Sequence, residues 1–226
     1  MQKKIIAFSL CLLFIIAALC LTACKSGASA TAALKTGESG SQTCLGDLII
    51  LMYHNTLAKG KKQSVYCINQ DALRKDFQYL KDNGYNVISC KQLKDCVDGG
   101  MYLPDKAVML TFDDGYLNNI TYALPLLEEF GYSGLFSVVG DYTYYDKYGG
   151  KGGGDFIYFG WKDIQEVYKN KNVEIGLHSY SLHNTRPRLG VSKLKNESDE
   201  EYRKLFADDT QKLVDKLDEL GVQSDI

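Results

Sequence analysis

An apolar run of strand character, Val108-Met109-Leu110-Thr111-Phe112, ends abruptly in two adjacent carboxylates and a glycine, Asp113-Asp114-Gly115. Neighbouring side chains on a strand point to opposite faces, but a tight turn at the strand end can bring them to one mouth. Gly115 supplies a backbone permissive enough for that turn. Two acids so placed can divide their labour, one binding a cation and the other handling a proton. Taken alone, the three residues fit an ordinary surface turn better, so the rest of the chain has to decide between the two.

Around this run the apolar pattern alternates between strand and helix periods. Leu48 to Tyr53 is continuously apolar, as in a buried parallel strand. Asn69 stands as an N-cap, after which Leu73, Phe77 and Leu80 repeat at helical spacing until Gly84. Tyr85 to Ser89 reads as a short strand followed by a helical turn or two through Leu93, and Lys106 to Phe112 as the strand described above. Ile120, Leu124, Leu127 and Phe130 mark a helix closed by Gly131, and Ser133 to Val139 is a further strand. Asp141 to Gly154, with five glycines, reads as a mobile loop. It has neither the P-loop nor the dinucleotide pattern. Trp161 to Tyr168 resumes as helix and Val173 to Leu177 as strand. Ser198 and Glu201 form a capping box. Phe206, Thr210, Leu213, Leu217 and Leu220 then stripe one helix face until Gly221. Such alternation argues for an α/β fold with a parallel sheet or barrel. The folded region suffices for a substantial core but falls short of the roughly 250 residues of a full (β/α)₈ barrel. After Gly221 the rhythm calls for another strand, whereas only Val222 to Ile226 remain, so a fragment is expected.

Upstream, Lys3 and Lys4 precede a nearly unbroken apolar run from Ile5 to Leu21, the order of a secretory signal; a short membrane span is the alternative. Leu21-Thr22-Ala23-Cys24 resembles the lipobox of bacterial lipoproteins. That resemblance implies a signal peptide over residues 1–23, a lipid on Cys24 and an extracytoplasmic, membrane-anchored protein. Residues 24–47, rich in Ser, Ala, Gly and Thr, read as a flexible tether, leaving 48–226 as the folded domain. Of the seven cysteines, Cys44, Cys67, Cys90 and Cys96 remain in the exported part, with three possible pairings. Cys90 and Cys96 are near enough to close a small loop, and none has Cys-x-x-Cys spacing. A net charge of −2 leaves no nucleic-acid footprint. Sixteen tyrosines and nine phenylalanines offer faces for sugar rings, although an ordinary core accounts for most of them.

Only three histidines occur in the chain. His54 directly follows one strand, His178 directly follows another, and His183 lies five residues on. In parallel α/β folds the catalytic mouth forms at the C-terminal ends of the strands. Three strands thus deliver His54, Asp113 with Asp114, and His178 to one rim. Two imidazoles and a carboxylate with open positions suit a divalent cation such as zinc. The spacing of five is not that of a helix-borne pair, which places both histidines on the loop after the strand. A cation there would lower the pKa of bound water from about 15.7 toward about 7, and the second carboxylate would take the proton. An iron oxygenase with a facial triad uses the same ligand set but leaves the twin acid without a role.

Thr111-Phe112-Asp113-Asp114-Gly115 together with His178-Ser179-x-x-Leu182-His183 resembles the polysaccharide deacetylase family, the NodB homology domain of carbohydrate esterase family 4. Leu51-Met52-Tyr53-His54 is similar to the opening strand of its permuted branch, which includes poly-N-acetylglucosamine deacetylases, and the longer histidine spacing also fits that branch. The resemblance runs from about Leu48 to the end. It implies a distorted (β/α)₇-type barrel, incomplete at the C-terminus, that removes acetyl groups from an N-acetylated polysaccharide of the envelope or exopolysaccharide. It implies Asp113 as general base, and Asp114, His178 and His183 as holders of a divalent metal (zinc, with cobalt or nickel as alternatives). His54 becomes the general acid for the leaving amine, and Ser179 a brace for the loop. The family also has a later strand whose backbone N–H binds the oxyanion, which here would follow Gly221. Losing such a donor typically costs about 10²–10³ in rate. The alternative expectation is therefore a catalytically inactive sugar-binding lipoprotein or a truncated gene product. A structural lipoprotein with a chance Asp-Asp-Gly turn would leave the histidine placement unexplained.

Overall fold

The computed structural model describes residues 35–36, 46–143 and 154–224. The proposed signal peptide, Cys24, most of the tether and residues 144–153 of the glycine-rich loop lie outside the described residues. The strands begin with β1 (Lys35–Thr36), β2 (Leu48–Tyr53), β3 (Asn55–Leu57) and β4 (Cys67–Asn69), followed by helix α1 (Gln70–Asp82). Next come β5 (Asn86–Val87), α2 (Cys90–Gly99), β6 (Met101–Tyr102) and β7 (Ala107–Phe112). A π-helical turn (Asn119–Ala123) leads into α3 (Leu124–Phe130) and β8 (Gly134–Val138). The chain continues through α4 (Trp161–Val167), β9 (Val173–Leu177) and α5 (Asp199–Glu219).

β7 is the axis of a parallel sheet. All six of its residues are buried, as an apolar strand covered on both faces requires. β2 runs beside it in register from Leu48 opposite Ala107 to Tyr53 opposite Phe112. With one edge of β7 so occupied, the other is shared. β5 takes Ala107 and Val108, and β8 takes Thr111 and Phe112. β9 pairs with β8 from Val173 opposite Gly134 to Leu177 opposite Val138. The residues after β2, β7 and β9 therefore emerge on one rim. Beneath it, Phe112 stacks between Tyr53 (5.4 Å) and Phe136 (4.9 Å), inside a core that also takes Leu73 and Phe77 from α1 and Leu213 and Leu217 from α5.

The α/β class and the parallel sheet follow from the alternation in the sequence. The path β2-β7-β8-β9 does not close on itself among the described residues, so the barrel is seen here as an open arc. β2 has the expected bounds and direction but is not buried: Ile49, Ile50 and Met52 are 44–62 % exposed, because its outer edge has no strand beside it among the described residues. Within the segment read as a tether, Lys35–Thr36 pairs antiparallel with Met101–Tyr102.

The helices start where their caps demand. Asn69 accepts the Ala72 N–H at 3.0 Å to open α1, and Ser198 with Glu201 opens α5. A second capping box, Ser89 with Gln92, carries α2 well past Leu93, to a left-handed Gly100. The helix expected from Ile120 to Phe130 is regular only from Leu124. Pro125 has no N–H to donate, and the Leu124 N–H reaches back five residues to Asn119. Along α5 only Leu213 and Leu217 are fully buried, while Phe206 is exposed. Cys96 is disulfide-bonded and Cys67 is a buried thiol.

Candidate metal centre and active site

Two strands end in the same way on this rim. Asp113 extends the β2–β7 ladder by one step, its N–H donating to the Tyr53 carbonyl at 2.9 Å. The chain then turns through Asp114 at φ 70 and Gly115 at φ 74. His178 extends the β8–β9 ladder by donating to the Val138 carbonyl at 2.9 Å, and Ser179 follows at φ 68. Left-handed backbone is uncommon for residues with a Cβ. Here it turns the Asp114 side chain inward, to 10 % exposure, and folds the loop after β9 back toward it.

The outcome is a three-cornered cluster. Asp114 Oδ1 lies 3.5 Å from His178 Nε2 and 3.2 Å from His183 Nε2, and one ligand atom from each residue falls within 4.8 Å of the others. Tetrahedral ligands at about 2.1 Å from a zinc ion sit about 3.4 Å apart, so the cluster has the right size for one cation. Asp114 Oδ1 is buried and accepts no hydrogen bond. An orphaned carboxylate oxygen is costly, and a cation would relieve it. The residues therefore fit a metal on both geometry and donor chemistry.

Asp113 and His54 share the mouth with this cluster. Burial pushes the Asp113 carboxyl above its ordinary range, and His178, His54 and a bond from the Thr111 hydroxyl pull it partly back. Burial likewise holds the His178 imidazole below its usual value against the pull of Asp113, which favours the neutral form that a metal ligand needs. His54 is half-buried after β2, edge-on to Tyr66 at 5.2 Å. Its turn is clasped by Asn119, which is fully buried. The Asn119 amide donates to the His54 carbonyl at 2.7 Å and accepts the Thr56 N–H at 2.9 Å. The Ser179 hydroxyl makes no hydrogen bond, so it does not brace the loop through its side chain. That work falls to Asp209 on α5, whose two carboxylate oxygens accept the Tyr180 and Ser181 N–H groups at 2.7 Å each. Lys212 Nζ sits 3.7 Å over the Tyr180 ring. On the other side, any Cβ at residue 140 would come within 2.5 Å of that ring, so only Gly140 fits.

The structure thus brings Asp113, Asp114, His54, His178 and His183 to one rim, while Cys24 lies outside the described residues. Asn119 and Asp209 belong to no motif, and Asn119 carries no local signal in the sequence. Asp209 had one local signal: an acid three residues after Phe206 and four before Leu213 falls on the apolar stripe of its helix, where a charge needs a partner.

Comparison with known proteins points the same way. Poly-beta-1,6-N-acetyl-D-glucosamine N-deacetylase of Escherichia coli (strain K12) is 33 % identical over 141 residues, which is 60 % of this chain and 21 % of that protein. The chain therefore spans about a fifth of that relative's length. Among solved structures, a de-N-acetylase from Aggregatibacter actinomycetemcomitans superposes with a TM-score of 0.64 at 28 % identity, covering 78 % of this chain and 76 % of that one. IcaB from Ammonifex degensii gives 0.65 at 27 % identity, covering 81 % and 74 %. The sequence profile described as "Polysaccharide deacetylase" matches residues 101–222. That match takes in more than half of the chain, both acids and both clustered histidines: the chain belongs to the polysaccharide deacetylase family.

Proposed function

We propose that this chain is a metal-dependent N-deacetylase acting on an N-acetylhexosamine polysaccharide of the cell envelope or an exopolysaccharide. The observation that carries the reading is the buried, unbonded Asp114 Oδ1 facing two imidazole nitrogens, with a second carboxyl, Asp113, beside it. Asp114, His178 and His183 would hold the cation, with zinc as the first choice and cobalt or nickel as substitutes. When bound, the cation supplies Lewis acidity toward water and the amide carbonyl.

The remaining steps belong to the chain. Asp113 takes the proton that water loses as it adds to the acetyl carbon, and its burial makes it a better base than an exposed carboxylate. His54 gives a proton to the amine as the C–N bond breaks. Acetate and a free amino sugar leave, and the proton count closes. Asn119 holds the His54 turn in place for this transfer.

The test is acetate release from β-1,6-linked N-acetylglucosamine oligomers by the zinc-loaded chain. Acetate and free amine should appear in equal amounts. Oligomer binding without acetate would instead support a sugar-binding protein with no catalysis.

An extracytoplasmic, lipid-anchored location accompanies the proposal, supported by Lys3 and Lys4, the apolar run to Leu21 and the Leu21-Thr22-Ala23-Cys24 sequence. Cys24→Ser should abolish incorporation of labelled fatty acid into the protein. Undiminished labelling would remove the anchor from the account.

A further inference from the structure

Tyr142 stands at the end of the 3₁₀ turn that follows β8 (Gly140–Tyr142). The turn is tied at its start: the N–H groups of Tyr142 and Thr143 both donate to the Val139 carbonyl at 3.1 Å, and the Thr143 hydroxyl donates to it at 2.9 Å. The Tyr142 ring packs against Tyr158 at 4.7 Å and meets His183 edge-on at 5.3 Å. Tyr158 is itself stacked on Tyr116 at 4.6 Å and donates its hydroxyl to the Tyr116 oxygen at 3.2 Å. The ring is therefore held from both sides, and its hydroxyl has little freedom of position.

That hydroxyl faces two atoms of one residue. Tyr142 Oη is 3.0 Å from His183 Nδ1 and 3.1 Å from the His183 carbonyl oxygen. A phenol has one proton to give, and a carbonyl can only accept. Both contacts are satisfied in one arrangement: Oη–H donates to the carbonyl, and Nδ1–H donates to Oη. The reverse arrangement, with the phenol donating to Nδ1, leaves two oxygens facing each other with no proton between them. In a neutral imidazole, a proton on Nδ1 leaves Nε2 with its lone pair. Nε2 is the atom that lies 3.2 Å from Asp114 Oδ1.

We propose that Tyr142 is a positioning residue that holds His183 in the Nδ1–H tautomer, so that Nε2 is presented ready to bind the cation. This rests on the reading of Asp114, His178 and His183 as a metal site. It assigns the orientation of a ligand to a residue thirty-six positions or more away from both clustered histidines, in neither motif.

Two measurements test it, both made without substrate. In nitrogen-15 NMR of the metal-free wild type, His183 should show the Nδ1–H tautomer, and Tyr142→Phe should shift it toward Nε2–H. In competition with a zinc chelator, Tyr142→Phe should weaken zinc binding about 10–100-fold, the usual cost of losing an outer-shell partner. A wild-type His183 that is mainly Nε2–H overturns the proposal, and it does so whether or not the variant folds. So does a folded Tyr142→Phe protein that keeps wild-type zinc affinity. Because neither readout involves acetate, a chain that binds zinc in this way but deacetylates nothing refutes the proposed function alone. Active wild type with an unaffected Tyr142→Phe variant refutes this assignment alone.

Discussion

Asp113→Asn is expected to lower acetate release by about 10²–10⁴-fold, the range for removing a positioned acid–base group. Zinc affinity should stay near wild type, because Asp113 is not one of the three converging ligands. The same change is expected to stabilise the metal-free protein at neutral pH. Burial makes the Asp113 carboxyl a weaker acid in the folded chain than in the unfolded one. Such a group does not oppose folding while it is protonated in both states, below its unfolded pKa. As pH rises from there through the raised folded value, the unfolded chain gives up its proton more readily, and stability is lost. Asparagine carries no proton to lose. Thermal melts of the metal-free pair should therefore diverge from acid to neutral pH, with the variant the more stable. A wild type that gains on the variant over that interval would contradict the placement of a buried base.

Asp114→Gly is expected to remove zinc binding and acetate release together, with a larger loss of affinity than the about 10–100-fold cost of an outer-shell change. Its metal-free melting temperature, in contrast, should not fall. Asp114 holds φ 70, a conformation that glycine adopts freely, and its Oδ1 is buried without a hydrogen bond. The residue works against the stability of the empty fold in two ways, and binding a cation is what gives it a use. Zinc titration beside thermal melting checks both halves. A glycine variant that still binds zinc, or one that is markedly destabilised without metal, would show that Asp114 is structural.

What the sequence shows and what it hides divide along the range of the interactions. β2 and β9 have their expected bounds because a continuous apolar run between polar breaks is a local signal. Asn69 and Ser198 cap the helices they precede because a cap acts within one turn. Asp113, His54 and His178 are legible for a related reason: each directly follows a strand, with Asp114 one residue further on, and parallel strands in register deliver their ends to one rim. His183 needs one thing more, the left-handed Ser179, which nothing in the local pattern requires.

The residues that hold the site stay hidden because their partners are far along the chain. Asn119 reaches back across 65 residues to His54. Asp209 reaches 29 to Tyr180, and Tyr142 reaches 41 to His183. Tyr142 is also one of sixteen tyrosines, so its type alone does not distinguish it. The exposure of β2 escaped for the opposite reason. Its composition is that of a buried strand, and only the arrangement of the sheet shows that its outer edge is open among the described residues.

The proposed function requires one cation among Asp114, His178 and His183, with Asp113 free beside it. Anomalous diffraction from crystals of the zinc-loaded protein tests this most directly. A strong peak is expected about 2.0–2.2 Å from one Asp114 oxygen and both Nε2 atoms, with Asp113 outside the ligand shell. A zinc peak on other residues, or Asp114 turned away from a metal held by the histidines, would contradict it.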